Sequence, residues 1–201
     1  MNAWRQNIGK EKVKMDNIVA LLGQLNFMHA LWLFYFFFVI HELEEWNINQ
    51  FEHQNFVDLP PSTTDKSARL WIGCVCLVGL IWTTIATLPG HPGIAACLTF
   101  PVIAIVLENS VQHIYWSIYF KQFAPGIFTS VLLLIPFGCY VMISAVNQGY
   151  VELWYVLIWA FVITIGFIQT VMAGNKLPSL VRTVNRIGVI LAKKWDNLQH
   201  E

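Results

Sequence analysis

The chain has 201 residues, of which 56% are hydrophobic and only 12% are charged, and its mean hydropathy is +0.55. An average soluble domain carries about 25% charged residues, so this chain lacks the charge needed to cover a soluble surface. Its 12 Lys and Arg balance 12 Asp and Glu, which leaves no basic excess for phosphates and excludes nucleic acid as an expected partner. The composition predicts an integral membrane protein whose main partner is the lipid bilayer.

Five apolar stretches have the length of about 20 residues that a helix needs to cross a hydrocarbon core of about 30 Å. They are residues 25–45, 70–88, 94–114, 126–146 and 153–172. Prolines and glycines mark the short connections between them. We therefore predict an all-α bundle of about five transmembrane helices, formed as a single domain by residues 25–172.

Both ends of the chain are predicted to lie outside this bundle. Residues 1–24 hold four of the Lys and Arg residues and are interpreted as a basic, interfacial segment. Residues 173–201 alternate apolar and basic side chains at helical spacing, which is typical of an amphipathic helix on a membrane surface. With five spans, eight of the 12 Lys and Arg lie on the side of this tail, which favours a cytoplasmic tail. The basic start favours the opposite orientation, so the sequence leaves orientation open; in a bacterium the membrane would be the inner or plasma membrane.

Ionisable residues end the first predicted span, where charged groups are costly unless they are paired, wet or functional. At 100° per residue, Glu44 and Glu45 lie about 60° and 40° from His41, so these three side chains share one face of the helix. Glu42 points about 100° away from His41 and is predicted to be solvated or paired with a basic group. The later pair Glu52 and His53 is interpreted as a solvated pair in the first loop.

A second polar cluster ends the third predicted span. Its members Asn109, Gln112, His113 and Trp116 follow the i, i+3, i+4, i+7 spacing of one helical face. The first and third spans run in the same direction because one crossing separates them, so both clusters lie at similar depth on the same side. The predicted shared site consists of His41, Glu44, Glu45, Asn109 and His113.

Imidazole and carboxylate groups together suit a divalent metal such as zinc or iron, and helix bundles place such ligands on inward faces. The predicted metal ligands are His41, Glu44, Glu45 and His113. The predicted catalytic residues are Glu45 as a general base, Asn109 as an orienting group and Trp116 as a cation-stabilising ring. The same residues also have a purely structural interpretation. Polar residues at the end of a span can lie at the membrane–water interface, and Asn109 and His113 can form hydrogen bonds that hold two helices together.

Three motifs occur in order along the chain: His41-x-x-Glu44-Glu45, Asn109-x-x-x-His113 and Pro125-Gly126-x-x-Thr129. Together they resemble the HXXEE family of small membrane proteins, over roughly residues 25–146. The chain departs from the family pattern at Phe123-Ala124, where a Tyr-Ser pair is common. The family is named for its motif and has no settled general activity, so the resemblance implies a site and not a particular reaction.

The leading hypothesis is a membrane-embedded, metal-dependent enzyme that acts on a lipophilic small molecule at a His/Glu site. A metal-free acid/base isomerase or cyclase of an isoprenoid-like substrate is the alternative, with Trp116 stabilising a cation. A third hypothesis is a non-enzymatic protein for proton or ion transport or for assembly. The metal, the reaction, the substrate and the oligomeric state stay open.

Overall fold

A computed structural model describes residues 25–199. The predicted basic segment 1–24 lies outside the described residues. Five helices are long and apolar enough to cross a membrane: α1 (Phe27–Asn55), α2 (Asp65–Thr87), α3 (Pro92–Tyr119), α4 (Ile127–Asn147) and α5 (Leu153–Ala173). A sixth helix, α6 (Ser179–Gln199), is amphipathic. The described part of the chain contains helices and no strand, so the predicted all-α membrane bundle with five spans and an amphipathic C-terminal helix is confirmed.

The first span is longer than the apolar run predicted. Its segments are the α-helix Phe27–Glu44, a single 3-10 turn at Glu45–Asn47 and the α-helix Ile48–Asn55. The helix continues past the acidic residues because Phe51 and Phe56 pack near Trp116, with ring centroids 6.4 and 5.2 Å from its ring. Glu52 therefore lies on a helix and is buried, at 4% exposure, and its interpretation as part of a solvated loop pair is wrong.

Helices α1, α3 and α4 form the centre of the bundle. Their buried apolar side chains include Phe34, Phe100, Ile103, Leu134 and Val141. Helix α2 joins this centre through hydrogen bonds to the backbone: Tyr35 Oη donates to the carbonyl of Cys76, at 3.1 Å, and Trp82 Nε1 donates to the carbonyl of Leu98, at 2.8 Å. Helix α5 packs mainly against α3 and turns most of its surface outward.

The start of α4 has an irregular backbone that places it beside the ends of α1 and α3. Gly126 has a φ of +89°, a left-handed conformation that glycine adopts without steric cost. After the short segment Ile127–Thr129, the residues Ser130–Leu134 form a π-helical turn. Pro136 follows this turn and has no N–H to donate to it, which accounts for the local departure from α-helical hydrogen bonding.

Helix α6 packs across the beginning of α2. Gly188 allows this close approach, because a Cβ at this position would lie only 2.7 Å from the backbone oxygen of Ser67. The chain leading into α6 is held by Asp58, which accepts a hydrogen bond of 2.7 Å from the backbone N–H of Leu177 and forms an ion pair with Arg182. The tail therefore lies on the side of the bundle where α1 and α3 end.

Candidate functional site

His41, Glu45 and His113 lie together at the ends of α1 and α3. Glu45 Oε1 is 2.9 Å from His41 Nε2 and 2.7 Å from His113 Nε2, and the three ligand atoms lie within 4.8 Å of one another. Both imidazole rings are buried, at 0% and 1% exposure. The structure thus brings together three of the four residues predicted as metal ligands, from two helices running in the same direction.

Asn109 lies at the centre of this cluster. Its Nδ2 is 3.2 Å from His41 Nε2, 3.2 Å from Glu45 Oε1 and 3.1 Å from His113 Nε2. An amide nitrogen carries two hydrogens, so it cannot donate to all three atoms at once. Four polar atoms therefore converge on one small volume.

Glu44 is not brought into this cluster. Its carboxylate accepts hydrogen bonds from the backbone N–H groups of Phe128, at 3.1 Å, and Thr129, at 2.9 Å. The Thr129 hydroxyl donates a third bond to it, at 2.6 Å. The first turn of a helix has free N–H groups and favours negative charge, so Glu44 binds the start of α4 and fixes α4 to the end of α1.

Thr129 also connects Glu44 to the histidine of the cluster, because its Oγ1 lies 2.8 Å from His41 Nδ1. An ionised carboxylate can only accept, so the Thr129 hydroxyl gives its proton to Glu44 and accepts one from His41. The hydrogen-bond network thus assigns the proton of neutral His41 to Nδ1. The lone pair of Nε2 then faces Glu45, which is the arrangement that outer hydrogen bonds impose on a metal-binding histidine.

The second imidazole is held differently. His113 Nδ1 is buried and has no hydrogen-bond partner among the described residues, and its ring packs against Trp116 with the centroids 5.6 Å apart. Its Nε2 points at Glu45. His41 Nε2 and Glu45 Oε1 both present lone pairs at 2.9 Å. The Nδ2 hydrogens of Asn109 offset part of their repulsion, and a proton or a cation between the two atoms would offset the rest. This donor set fits a divalent metal.

The cluster opens on a cavity of about 470 Å³ between α1, α2, α3 and α6. Glu45, Asn109, His113 and Trp116 line the cavity, whereas His41 and Glu44 do not. A volume of this size falls in the range of small-molecule sites. The arrangement places one carboxylate, one amide and one imidazole at the wall of a pocket, with the second imidazole directly behind them.

Three further glutamates, Glu42, Glu52 and Glu108, line the same cavity and do not belong to the site predicted from the sequence. Glu42 was predicted to be solvated or paired with a basic group, but it is buried, at 7% exposure. A helical spacing signal existed, since Glu42 precedes Glu45 by three residues and Glu52 follows it by seven. For Glu52 this signal was hidden because the apolar run, and with it the predicted helix, stopped at residue 45.

A family model described as "Protein of unknown function with HXXEE motif" matches residues 32–141, which is more than half of the chain. The chain belongs to the HXXEE family. The matched range contains the HXXEE motif itself, Asn109 and His113 of α3 and the Gly126–Thr129 turn, so the resemblance seen in the sequence is confirmed. No curated protein and no solved structure matches this chain.

The structure separates the roles of the residues in the HXXEE motif. His41 and the second glutamate, Glu45, belong to the cluster. The first glutamate, Glu44, holds the start of α4 and, through Thr129, orients His41. Two adjacent carboxylates of one motif therefore serve different parts of the same site.

Proposed function

We propose that this HXXEE protein is a membrane-embedded, metal-dependent enzyme that acts on a lipophilic small molecule. The observation that carries the proposal is the cluster of His41 Nε2, Glu45 Oε1 and His113 Nε2 at the wall of a cavity inside the bundle. These three atoms would hold a divalent metal, zinc or iron, and a metal bound there would polarise the substrate or activate water.

The surrounding residues support this proposal. Thr129 and Glu44 hold His41 in the tautomer that leaves Nε2 free. Asn109, which lies within 3.2 Å of all three candidate ligand atoms, would orient a ligand or the substrate. The remaining wall of the cavity is largely apolar and aromatic, which suits a substrate that dissolves in the bilayer.

Metal analysis tests the proposal. We expect protein purified in detergent to contain zinc or iron in an equimolar amount, and to lose it in His113→Ala and in Glu45→Gln. His29→Ala is a matched control, because His29 lies on the same α1 helix but is exposed, and this variant should keep the metal. A metal content near zero that His113→Ala leaves unchanged would overturn the proposal.

A metal-free acid/base isomerase or cyclase is the second candidate, and one observation favours it. Hydrogen bonds and close contacts run without a break from Glu44 through Thr129, His41 and Glu45 to His113, which is a path for a proton to the cavity wall. In this scheme Trp116, which also lines the cavity, would stabilise a carbocation. Activity that survives strong chelators but is abolished by Glu45→Gln would select this candidate.

Transport, the third hypothesis, has less support. The carboxylates and the imidazole that line the cavity lie towards one end of it, and its far half between α1 and α3 is lined by residues such as Phe34 and Ile103. A proton or ion path needs polar groups across the whole membrane. A pocket at one depth favours an enzyme.

We also propose that the site and the tail face the cytoplasm. In a bacterial cell, the membrane that the protein spans would be the inner or plasma membrane. The tail lies on the same side as the ends of α1 and α3, and eight of the 12 Lys and Arg residues belong to this side. A membrane-impermeant maleimide applied to intact cells should label Glu152→Cys and leave Lys194→Cys unlabelled. The reverse pattern would overturn this orientation.

A further inference from the structure

The cavity has an acidic end with four glutamates, of which only Glu45 belongs to the cluster with His41 and His113. We infer that the molecule bound there is a single-chain amphiphile with a cationic amine headgroup, for example a long-chain amine or amino alcohol. The inference rests on the proposed function in one respect: it takes the cavity beside His113 and Glu45 as the substrate site. It adds the chemical class of the substrate, the direction in which it lies and its route of entry.

The lining of the cavity is divided along the helix axes. On α1 the lining residues from Leu31 to Phe38 are apolar or aromatic, and those from Glu42 to Glu52 include three carboxylates. On α3 the first lining residue is Thr99, whose hydroxyl donates to the carbonyl of Ala95, and the other polar lining residues come last, from Glu108 onward. Leu31 and Glu42 are 11 residues apart, or about 16 Å at 1.5 Å per residue. This is about half of a hydrocarbon core of about 30 Å, so the apolar part matches a chain from one leaflet.

The apolar part of the cavity opens between α2 and α3. Val78 of α2 and Ile105 of α3 both line the cavity and are also exposed on the outer surface, at 55% and 53%. Trp82, which donates to the carbonyl of Leu98, closes one edge of this opening. In a membrane-spanning bundle such an opening faces acyl chains, so a single-chain lipid can enter sideways without leaving the bilayer.

Among the described lining residues, the acidic end has four carboxylates and one basic side chain, His113, which contacts Glu45. Glu42, Glu45, Glu52 and Glu108 line it, and the residues lining the cavity include neither lysine nor arginine. Glu45 contacts the two imidazoles, whereas the other paired carboxylates have neutral amides as partners. Asn185 donates to Glu52 at 3.1 Å, and Gln112 donates to Glu108. Buried carboxylates are costly without a counter-charge. A cationic headgroup supplies that counter-charge.

A second and independent observation comes from Gln112. This side chain is 2% exposed and lines the cavity, and its Oε1 has no hydrogen-bond partner in the described part of the chain. One of its two amide N–H groups donates to Glu108, and its Oε1 remains as an acceptor for a ligand. An ammonium group has three donors and no acceptor, and it therefore matches Gln112 Oε1 together with the neighbouring carboxylates.

Trp116 adds one donor to this set of acceptors. Trp116 lines the cavity, and its indole Nε1 is buried and has no hydrogen-bond partner among residues 25–199. A hydroxyl group next to the amine would accept from it, and the ring face favours a cation. An amino alcohol thus satisfies more of the unpartnered atoms than a simple alcohol or a fatty acid does.

A binding experiment with the full chain tests the inference. The protein is placed in nanodiscs of zwitterionic phosphatidylcholine, and binding of radiolabelled hexadecylamine is measured against unlabelled hexadecylamine, hexadecanol and hexadecanoic acid. We expect saturable binding that the amine displaces at least about tenfold better than either competitor, since a hydrogen bond to a charged group is worth about 1.5–3 kcal/mol. Because this comparison uses the unaltered protein, it does not depend on whether a variant folds.

Two variants and one control locate the binding. Glu108→Gln and Gln112→Leu should each weaken hexadecylamine binding by about tenfold, without changing the low affinity for hexadecanol. Glu152→Gln should leave binding unchanged, because Glu152 is exposed on the loop before α5 and is not among the lining residues. Weakening by Glu152→Gln as large as that by Glu108→Gln would show that general surface charge, and not this site, attracts the amine.

The outcomes separate this inference from the proposed function. If hexadecanol or hexadecanoic acid binds as well as hexadecylamine, the inference is overturned even when the protein contains metal. If the protein contains no metal but binds hexadecylamine in a Glu108-dependent manner, the metal-dependent function fails and the inference stands. Binding selective for the amine and lost in Glu108→Gln supports it.

Discussion

The hydroxyl of Thr129 lies 2.8 Å from Nδ1 of His41, although 88 residues separate the two in the sequence. The same hydroxyl donates to Glu44 at 2.6 Å. The turn at Gly126 that begins α4 therefore positions the Thr129 hydroxyl, and this hydroxyl determines which nitrogen of His41 carries the proton. Three separate motifs of the sequence become parts of one hydrogen-bonded network.

Thr129→Val should weaken metal binding. Valine keeps the size and β-branching of threonine but removes the hydroxyl, so Nδ1 of His41 loses its acceptor and the ring loses its fixed orientation. Loss of such an outer hydrogen bond lowers metal affinity by about 10–100-fold. Competition titration of Zn²⁺ against a chromophoric chelator measures the change.

Two variants provide the controls for this substitution. Thr129→Ser keeps the hydroxyl and should retain most of the affinity. Thr164→Val removes a hydroxyl of α5 that bonds only to the carbonyl of Ala160 and should leave affinity unchanged. Equal affinity in Thr129→Val and Thr129→Ser would contradict the assigned role of the hydroxyl.

Gly126→Ala should damage both stability and the site. At φ +89° a side chain is strained, at a cost of about 1–2 kcal/mol, and the added Cβ would lie 2.8 Å from His41 Cε1 and 3.1 Å from Glu45 Oε1. Gly149→Ala separates the two effects, since Gly149 also has a positive φ, +69°, but has no atom within 4 Å of its added Cβ. Thermal unfolding should show a loss in both variants, and metal content should fall in Gly126→Ala alone.

The helices could be predicted from the sequence because apolar runs of about 20 residues have few alternatives in a membrane. The meeting of His41 with His113 also followed from topology, since co-directional spans place their ends on one side. The end of α1 could not be predicted in this way. Its continuation to Asn55 depends on the packing of Phe51 and Phe56 near Trp116, a contact between distant segments that hydropathy along one segment does not report.

The different roles of Glu44 and Glu45 could not be predicted from the sequence either, for a related reason. On a helical wheel both carboxylates lie within about 60° of His41, so angle alone made both of them candidate ligands. What separates them is the position of α4, whose free N–H groups at Phe128 and Thr129 bind Glu44. Which face a third helix occupies is a property of the whole bundle, and the sequence of α1 does not contain it.

Replacing each glutamate of the HXXEE motif by glutamine tests this division. Glu45→Gln removes the charged oxygen that contacts both imidazoles and should abolish metal binding. Glu44→Gln keeps an acceptor for the start of α4 but loses the charge, which costs about 1 kcal/mol at a helix N-terminus, and should lower metal affinity by less than about tenfold. Metal content and thermal unfolding are measured on both variants. Loss of the metal in Glu44→Gln together with its retention in Glu45→Gln would contradict the assignment.

The contact between α6 and α2 predicts that replacing glycine by alanine has opposite effects on stability at two positions. In a helix interior, glycine to alanine normally stabilises by about 1 kcal/mol, and Gly73→Ala on α2 should follow this rule because no atom lies within 4 Å of its added Cβ. Gly188→Ala should destabilise the protein, since its Cβ would lie 2.7 Å from the backbone oxygen of Ser67. A side chain can rotate to relieve such a clash, but a backbone atom cannot.

Separation of α6 from α2 should also open the acidic end of the cavity, because Asn185 on α6 donates to Glu52 at 3.1 Å. Limited trypsin digestion should therefore cut at the basic residues of α6 faster in Gly188→Ala than in the unaltered protein, while Gly73→Ala digests at the normal rate. Unchanged digestion of Gly188→Ala would mean that α6 does not depend on this contact, and the close packing of the tail on α2 would then have no part in closing the cavity.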